Sequence, residues 1–550
     1  MKNQSFEQLT QTILKKVADL DLPTRKDLMM IIRQTIKGTQ TPFPTSIQLW
    51  QAYRDLLKEG FARNEKIEKI LRVKDVRTDS GVAPITVLTK PYPCPGNCVY
   101  CPTEYRMPKS YISSEPAAAR ALSLEFDPYE QVKQRVQVLE RNGHTANKIE
   151  LIIKGGTWSA YPKDYREWFI TRCFEAANDL TQPSLTKRDI PQNTGLGDSQ
   201  LANQSAAYRI IGLTIETRPD HITADEVAHL RQLGVTRVEL GLQIINDRVL
   251  KLTGRGTTVA DAEKAISLLK AAAFKVDVHI MPGQPGASRA DDLESFKLLF
   301  DDPRFRPDMI KLYPCVVLPN SELFNWTERG DFKPLEGDEL RELLIEMQTM
   351  IPYYCRVSRL IRDFPTTDIS HGNKQSNLRE SLEKEMKKRG LQCKCLRCRE
   401  VGHVPGDHTH DKTELFEQRY ENAGGTEVFL SIENEDRSAV FGFCRLRLPQ
   451  LPPPLKLRGD WEELCQQFPI LRTSAHIREL HTYGTALNIN QQNEAASQHK
   501  GYGRRLMARA EEIAKSEGYQ NLAVISGIGV REYYKNLGYH EQDTYMVKTI

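Results

Sequence analysis

Three cysteines fall within eight positions of the segment KPYPCPGNCVYCPTEY (residues 90–105), at Cys94, Cys98 and Cys101, spaced C-x3-C-x2-C with Tyr100 just before the last. Structural zinc takes four ligands in a closed tetrahedron. Three thiolates in one tight loop instead suit an iron–sulfur cube in which one iron lacks a protein ligand and can bind something else. A zinc knuckle completed by a remote donor is the competing reading. A second group, LQCKCLRCREVGH (391–403), brings Cys393, Cys395 and Cys398 together with His403 five residues on. Three thiolates and one imidazole make a closed zinc site, and local spacing favours His403 over the rival donors Cys315 and Cys355. Near the C-terminal end, SQHKGYGRRLM carries Gln498, Gly501 and Gly503 as Q-x-x-G-x-G ahead of an amphipathic run. Glycines there let backbone N–H groups close on a pyrophosphate, with a helix N-terminus favouring its charge.

The elements that must position these groups follow from the apolar pattern. Residues 1–80 carry apolar positions at helical spacing (Leu9, Ile13, Val17 and Leu20, then Leu28, Ile31, Ile32 and Ile36), broken by GTQTPFPTS, which predicts a small helical domain. From 81 to 365, strand-like runs at 149–153, 210–216, 237–243, 275–281 and 309–314 alternate with helical ones such as TADEVAHLRQLG and TVADAEKAISLLKAAAF. Such alternation implies parallel strands in a βα barrel or open sheet, with ligands at the strands' C-terminal ends. Lys154, Glu216, Arg218 and Gln243 lie at or near those ends, where a charged residue serves a ligand or a plain salt bridge. Residues 180–206 have no apolar period and read as a long surface loop. Residues 366–415 form a zinc-binding linker, and 416–550 a separate α/β unit with a hairpin in EVFLSIENEDRSAVFGFCRLRL, a strand in AHIRELHTYG and a helix in RRLMARAEEIAKSEGY.

Bulk numbers narrow the class. A chain of 550 residues predicts two to four domains. No apolar run approaches the ~20 residues of a membrane span, and MKNQSFEQLTQTILKK lacks a secretion signal's apolar stretch, which predicts a cytoplasmic protein without membrane contact. Eleven cysteines, six of them in two tight clusters, indicate metal ligation rather than disulfides. The net charge of +4 is too small to imply a polyanionic partner, but residues 1–80 hold fifteen Lys or Arg against ten Asp or Glu. That excess includes Arg63, Lys66, Lys69, Arg72 and Lys74 and reads either as a solvated helix face or as a docking patch.

The cysteine loop C-x3-C-x-aromatic-C, followed by KGGT (154–157) after a strand, resembles the radical S-adenosylmethionine (SAM) superfamily. In that family the open iron chelates the amino and carboxylate groups of SAM at a [4Fe-4S] cluster, and one-electron cleavage releases a radical that abstracts hydrogen from an inert C–H bond. The resemblance implies that Tyr100, Lys154, Gly155, Gly156, Thr157, Glu216, Arg218 and Gln243 surround SAM. The C-terminal unit resembles a GNAT acetyltransferase, which implies acetyl-CoA held by Glu479, Leu480, His481, Gln498, Gly501, Tyr502, Gly503 and Arg504, with Tyr533 and Tyr534 near the thioester. Together the two halves resemble the Elongator catalytic subunit family in its stand-alone bacterial or archaeal form, from about Arg63 onward. The stretches carrying the likeness include CPGNCVYCP, GLTIETRPD, TRVELGLQ, FRPDMIKLYP, RELHTYG and QHKGYGRRLM. Only CPTEYRMPKSY departs, as subgroup variation near the cluster.

The family implies formation of 5-carboxymethyluridine at wobble uridine 34 in the tRNA anticodon loop. Acetyl-CoA supplies the carbon, and catalysis falls to Lys154, Tyr533 and Tyr534, with Glu479 and His481 behind them as proton donors. It also implies an electron donor, and it turns the basic N-terminal segment into a candidate tRNA surface. Oligomeric state stays open, a homodimer included. Two rivals remain: a protein lysine acetyltransferase with a structural iron–sulfur region, and a non-catalytic tRNA-binding scaffold.

Overall fold

The computed structural model describes residues 5–72, 81–180, 195–406, 408, 410–450, 458–483 and 501–550. Four helices open the chain: α1 (Phe6–Ala18), α2 (Arg25–Ile36), α3 (Ser46–Lys58) and α4 (Glu65–Leu71). Ser5, Thr24 and Thr45 close capping boxes with Gln8, Asp27 and Gln48, which satisfy the orphan N–H groups at each start. The periodic apolar residues Ile13, Val17, Ile32, Tyr53, Leu56 and Ile67 meet in a core of their own.

A seven-stranded parallel sheet follows, ordered by sequence: β1 (Ala83–Leu88), β2 (Lys148–Lys154), β3 (Arg209–Thr217), β4 (Arg237–Gln243), β5 (Lys275–Ile280), β6 (Met309–Leu312) and β7 (Arg356–Arg359). Side chains alternate between faces along a strand. Val238, Leu240, Val276, Val278 and Ile310 therefore point into the helix-covered core. Their neighbours Arg237, Glu239, Asp277, His279 and Lys311 line a cavity on the other face. β1 and β7 lie outside the runs expected from sequence, and β7 (RVSR) has no apolar period to reveal it. The expected loop at 180–206 needs correction. Residues 196–203 form a helix (Leu196–Asn203), anchored where buried Asn203 donates to Asn178 Oδ1 and the Tyr208 carbonyl, at 2.7 and 3.0 Å. Polar anchoring of this kind leaves no apolar signature, and residues 181–194 lie outside the described residues.

The second sheet is mixed: β8 (Thr413–Glu421), β9 (Gly425–Asn434), β10 (Val440–Pro449), β11 (Ser474–Thr482), β12 (Asn521–Val524), β13 (His540–Gln542) and β14 (Tyr545–Thr549), in the order β13-β14-β12-β11-β10-β9-β8. The helix Tyr502–Ser516 covers it through Leu506, Ala510 and Ile513. β11 pairs in parallel with β12 only over Ser474–Ile477, so its end from Arg478 to Thr482 parts from β12 and leaves a notch. A buried ionic network joins the two sheets. Asp308 of the barrel takes Lys270 at 2.9 Å and Arg478 of β11, and Arg478 reaches Glu427 at 3.1 Å. Removing one partner of such a buried network costs roughly 3–5 kcal/mol, because a charge is stranded in low dielectric. Among the described residues no helix is long and apolar enough to cross a membrane.

Candidate active site and metal centre

The polar face of the barrel, the cysteine loop and the notch of the second sheet open into one cavity of about 1730 Å³. At its barrel end Glu239 is buried between Lys154, Lys311 and His279, whose Nε2 lies 3.2 Å away. Lys154 also sits 3.2 Å from Glu216, which accepts from Tyr111 Oη at 2.9 Å. Burial raises the Glu216 pKa, but Lys154 and His279 outweigh it and push the carboxyl down to about 2. Both carboxylates are therefore fixed anions at neutral pH, and Lys154 bridges them.

The loop holding Cys94, Cys98 and Cys101 forms one cavity wall, with all three thiols half-buried. The Cys101 amide donates to the Cys98 carbonyl (3.0 Å), the Val99 amide to the Thr253 carbonyl (3.0 Å), and Cys94 Sγ lies 3.5 Å from Thr157 Oγ1. Gly155 and Gly156 turn with φ +133° and +90°, and a Cβ on Gly155 would lie 1.9 Å from Thr89 Oγ1. Only glycine fits that close turn. Tyr100 buries its hydroxyl without a hydrogen-bond partner among the described residues. Gln243 ends β4 with φ +73°. Arg218 is committed to the scaffold: its guanidinium takes both Asp220 oxygens and the carbonyls of Arg255 and Gly256, at 2.8–3.0 Å.

At the opposite end, Gly501 caps the helix Tyr502–Ser516 in the left-handed region (φ +73°) and lines the cavity with Gly503, Arg504, Leu480 and His481. A Cβ on Gly503 would come 2.7 Å from Tyr533 Oη, so the missing side chain lets the phenol reach the helix N-terminus. Burial raises the Tyr533 pKa and keeps Oη protonated. Tyr533 is half-exposed, whereas Tyr534 is buried against Tyr539.

Two expectations are corrected here. Tyr502 turns into the core, edge-on to Phe441 at 6.1 Å between centroids, because the position after the helix start faces the sheet. Glu479 is no proton donor: burial raises its pKa, but Lys275 (3.2 Å) and Arg445 (2.9 Å) overcome this and push it down to about 2. His481 stacks on Phe443 and burial holds it neutral. Gln498 lies outside the described residues.

The second cysteine group is tighter. The Sγ atoms of Cys393, Cys395 and Cys398 all lie within 4.8 Å of one another, the only such set of three metal-ligating side chains among the described residues. A tetrahedral zinc with Zn–S of ~2.3 Å needs thiolates ~3.8 Å apart, so this set fits one ion. His403 stands outside it, a correction to the expected fourth ligand. It closes a turn begun at Glu400, its amide donating to the Glu400 carbonyl (2.7 Å) and its ring facing the Glu400 carboxylate at 3.8 Å. Cys355 is buried near Cys395, and burial with the Cys395 charge pushes its thiol pKa up, while Cys315 packs in a separate apolar cluster with Val317 and Leu323. The sulfurs of Cys94, Cys98 and Cys101 do not all lie within 4.8 Å of one another, a spread that suits several irons better than one ion.

Of the basic N-terminal residues, Arg63 is paired with Glu68 (2.8 Å) and Lys66 Nζ donates to the Asp21 carbonyl (2.5 Å). The Arg72 carbonyl accepts from Arg25 (2.5 Å), Lys69 lies in the last turn of α4, and Lys74 is outside the described residues. Sequence reasoning missed Tyr111, Glu239, Lys311 and Arg255. All four belong to the cavity's polar lining, and the alternation of charged with apolar residues in RVELGLQ and MIKLYP is the signal for two of them.

Residues 92–299 match the Radical SAM superfamily and 307–388 the Radical_SAM C-terminal domain. A Methanocaldococcus jannaschii protein named tRNA uridine(34) acetyltransferase is 43% identical over 493 residues, covering 87% of this chain and 86% of that one. The chain belongs to the tRNA uridine(34) acetyltransferase and Elongator protein 3 family. Family members include the Saccharomyces cerevisiae Elongator complex protein 3, 35% identical over 495 residues (87% of this chain, 85% of that one). The solved structure of Methanocaldococcus infernus Elp3 lacking residues 1–46 matches with TM-score 0.71 at 39% identity, over 86% of this chain and 99% of that one. A radical SAM domain implies a [4Fe-4S] cluster and SAM. The open, widely set trio Cys94, Cys98 and Cys101 is the donor set that fits the cluster.

Proposed function

We propose that this chain modifies wobble uridine 34 of tRNA, using SAM and acetyl-CoA to build 5-carboxymethyluridine. The observation that carries the reading is the single cavity running from the cysteine loop to Gly501, Gly503 and Tyr533. Two reactants held in one enclosure turn an unfavourable encounter into a positioned one. When bound, the cluster with SAM supplies one-electron hydrogen abstraction from a C–H bond. Gly155 and Gly156 offer backbone close approach to SAM, and the anions Glu216 and Glu239 with Lys154 set the charge around it. The N-terminus of the helix Tyr502–Ser516, with Arg504, receives the coenzyme A pyrophosphate. Tyr533 Oη, held protonated at that N-terminus, donates to the thioester carbonyl, while Tyr534 supports it from the core. The Cys393, Cys395 and Cys398 trio holds a zinc ion that braces the junction of the two sheets. Lys66, Lys69 and Arg72 serve the anticodon arm's phosphates.

The test is anaerobic reconstitution with iron and sulfide, then mass spectrometry of tRNA nucleosides after adding SAM, acetyl-CoA and a one-electron reductant. Carboxymethyluridine should appear only with every component present. Acetyl-lysine as the product, or binding of both small molecules without turnover, would replace this reading with one of its two rivals.

A further inference from the structure

Arg255 is a buried cation without a carboxylate. Its side chain is 7% exposed, and among the described residues no Asp or Glu forms an ion pair with it. Nη2 donates to the Gly241 carbonyl (2.6 Å), Nη1 lies 3.8 Å from Cys98 Sγ, and Nε is buried with no hydrogen-bond partner among the described residues. Burial works against its charge, and the nearby Cys98 sulfur favours it. The neighbouring Arg218 differs at the decisive point, since Asp220 pairs with it at 2.8 Å.

The socket is shaped for this guanidinium. A Cβ on Gly241 would meet Arg255 Nη2 at 2.7 Å, and one on Gly254 (φ +65°) would meet the Asn97 carbonyl oxygen of the cysteine loop at 2.8 Å. Arg218 fixes the backbone by donating to the carbonyls of Arg255 and Gly256, and Thr253 accepts from Val99. The turn Thr253–Gly256 thus clasps the cysteine loop and aims one cation at one thiolate. A buried charge persists only where an opposite charge compensates it. Here the compensating charge is the sulfur set of the loop.

We infer that Arg255 is a positioning residue that sets the reduction equilibrium of the cluster by placing an uncompensated positive charge against the Cys98 ligand. This rests on the reading of Cys94, Cys98 and Cys101 as cluster ligands. Reduction adds one electron from an external one-electron donor, with no bond made or broken, and the cluster with its three thiolates gains one negative charge. Cluster potentials follow net charge and hydrogen bonds to the sulfurs, so a cation at Cys98 favours the reduced form.

The test is an anaerobic redox titration of the reconstituted full chain, without tRNA or acetyl-CoA, followed by electron paramagnetic resonance with dithionite and viologen mediators. Arg255→Gln should disfavour reduction about tenfold, a midpoint more negative by about 59 mV for one electron. Arg255→Lys keeps the charge and should move it less than threefold. If Arg255→Gln takes up no cluster while Arg255→Lys does, with both folded by circular dichroism, the charge requirement stands. An unchanged midpoint in Arg255→Gln, equal shifts in both variants, or loss of cluster from both overturns the inference. A parent chain that binds no cluster would overturn the ligand reading first, which separates the two failures.

Discussion

The two cysteine trios use the same residue to opposite ends. Cys94, Cys98 and Cys101 sit half-buried in a Pro- and Gly-rich loop on the wall of a large cavity, with sulfurs too widely set for one ion. Cys393 and Cys395 are buried within the core, and Cys398 completes a set drawn within 4.8 Å. The first arrangement leaves metal valence facing a space that substrates can enter, and the second encloses it. Spacing along the chain distinguishes them by two residues, C-x3-C against C-x-C, but surroundings decide what each can do. A thiolate set becomes reactive by being left open and structural by being closed.

This contrast can be broken or sharpened in four ways. Cys98→Ser should remove the iron, and with it the product, by at least about 10³-fold. Its Tm should stay within about 2 °C of the parent, as measured by calorimetry on the same preparation. A comparable fall in Tm would mean the open trio is a strut as well. Cys395→Ser, or a zinc chelator, should release zinc and lower Tm by roughly 5–10 °C while the reconstituted iron content stays at the parent level. His403→Ala is the sharper probe, because the ring stands outside the trio: zinc stoichiometry should hold and Tm move by less than about 2 °C. Zinc loss in that variant would return His403 to the ligand set.

The smallest effect concerns pH. Glu479 has a folded pKa of about 2 against an ordinary 4.5. A depressed carboxyl pKa gives stability that is fully present above pH 4.5 and drains away as pH falls toward 2. The parent's Tm should therefore decline through that window. Glu479→Gln should begin lower at pH 7 and lose less on acidification. Parallel curves would show that the Lys275 and Arg445 pairing adds nothing to stability.

Much of the site could be read from the chain. The C-x3-C-x2-C loop, the KGGT turn and the glycines at 501 and 503 are local, because each needs only a few adjacent residues to adopt a turn. The runs at 149–153, 237–243 and 309–314 emerge as β2, β4 and β6 for the same reason, since strand alternation is written in consecutive residues. β7 and the helix Leu196–Asn203 escaped notice because partners remote in sequence hold them, not a period of their own. His403 was misjudged for the converse reason: closeness in sequence suggested ligation, but the backbone turn at Glu400 points the imidazole elsewhere.

From its sequence alone this protein's chemistry was determined: which thiols can bind metal, which glycines can admit a phosphate, and which alternating runs must pair as parallel strands. Only the tertiary structure decided the company those groups keep. It set Glu479 beside Lys275 and Arg445, Tyr533 on the backbone of Gly503, and Arg255 against Cys98. The reason is range. Turn and strand preferences act over a few neighbouring residues, whereas burial and charge pairing depend on which distant segments fold against one another, and those push the Glu216 and Glu479 carboxyls down and the Tyr533 phenol up.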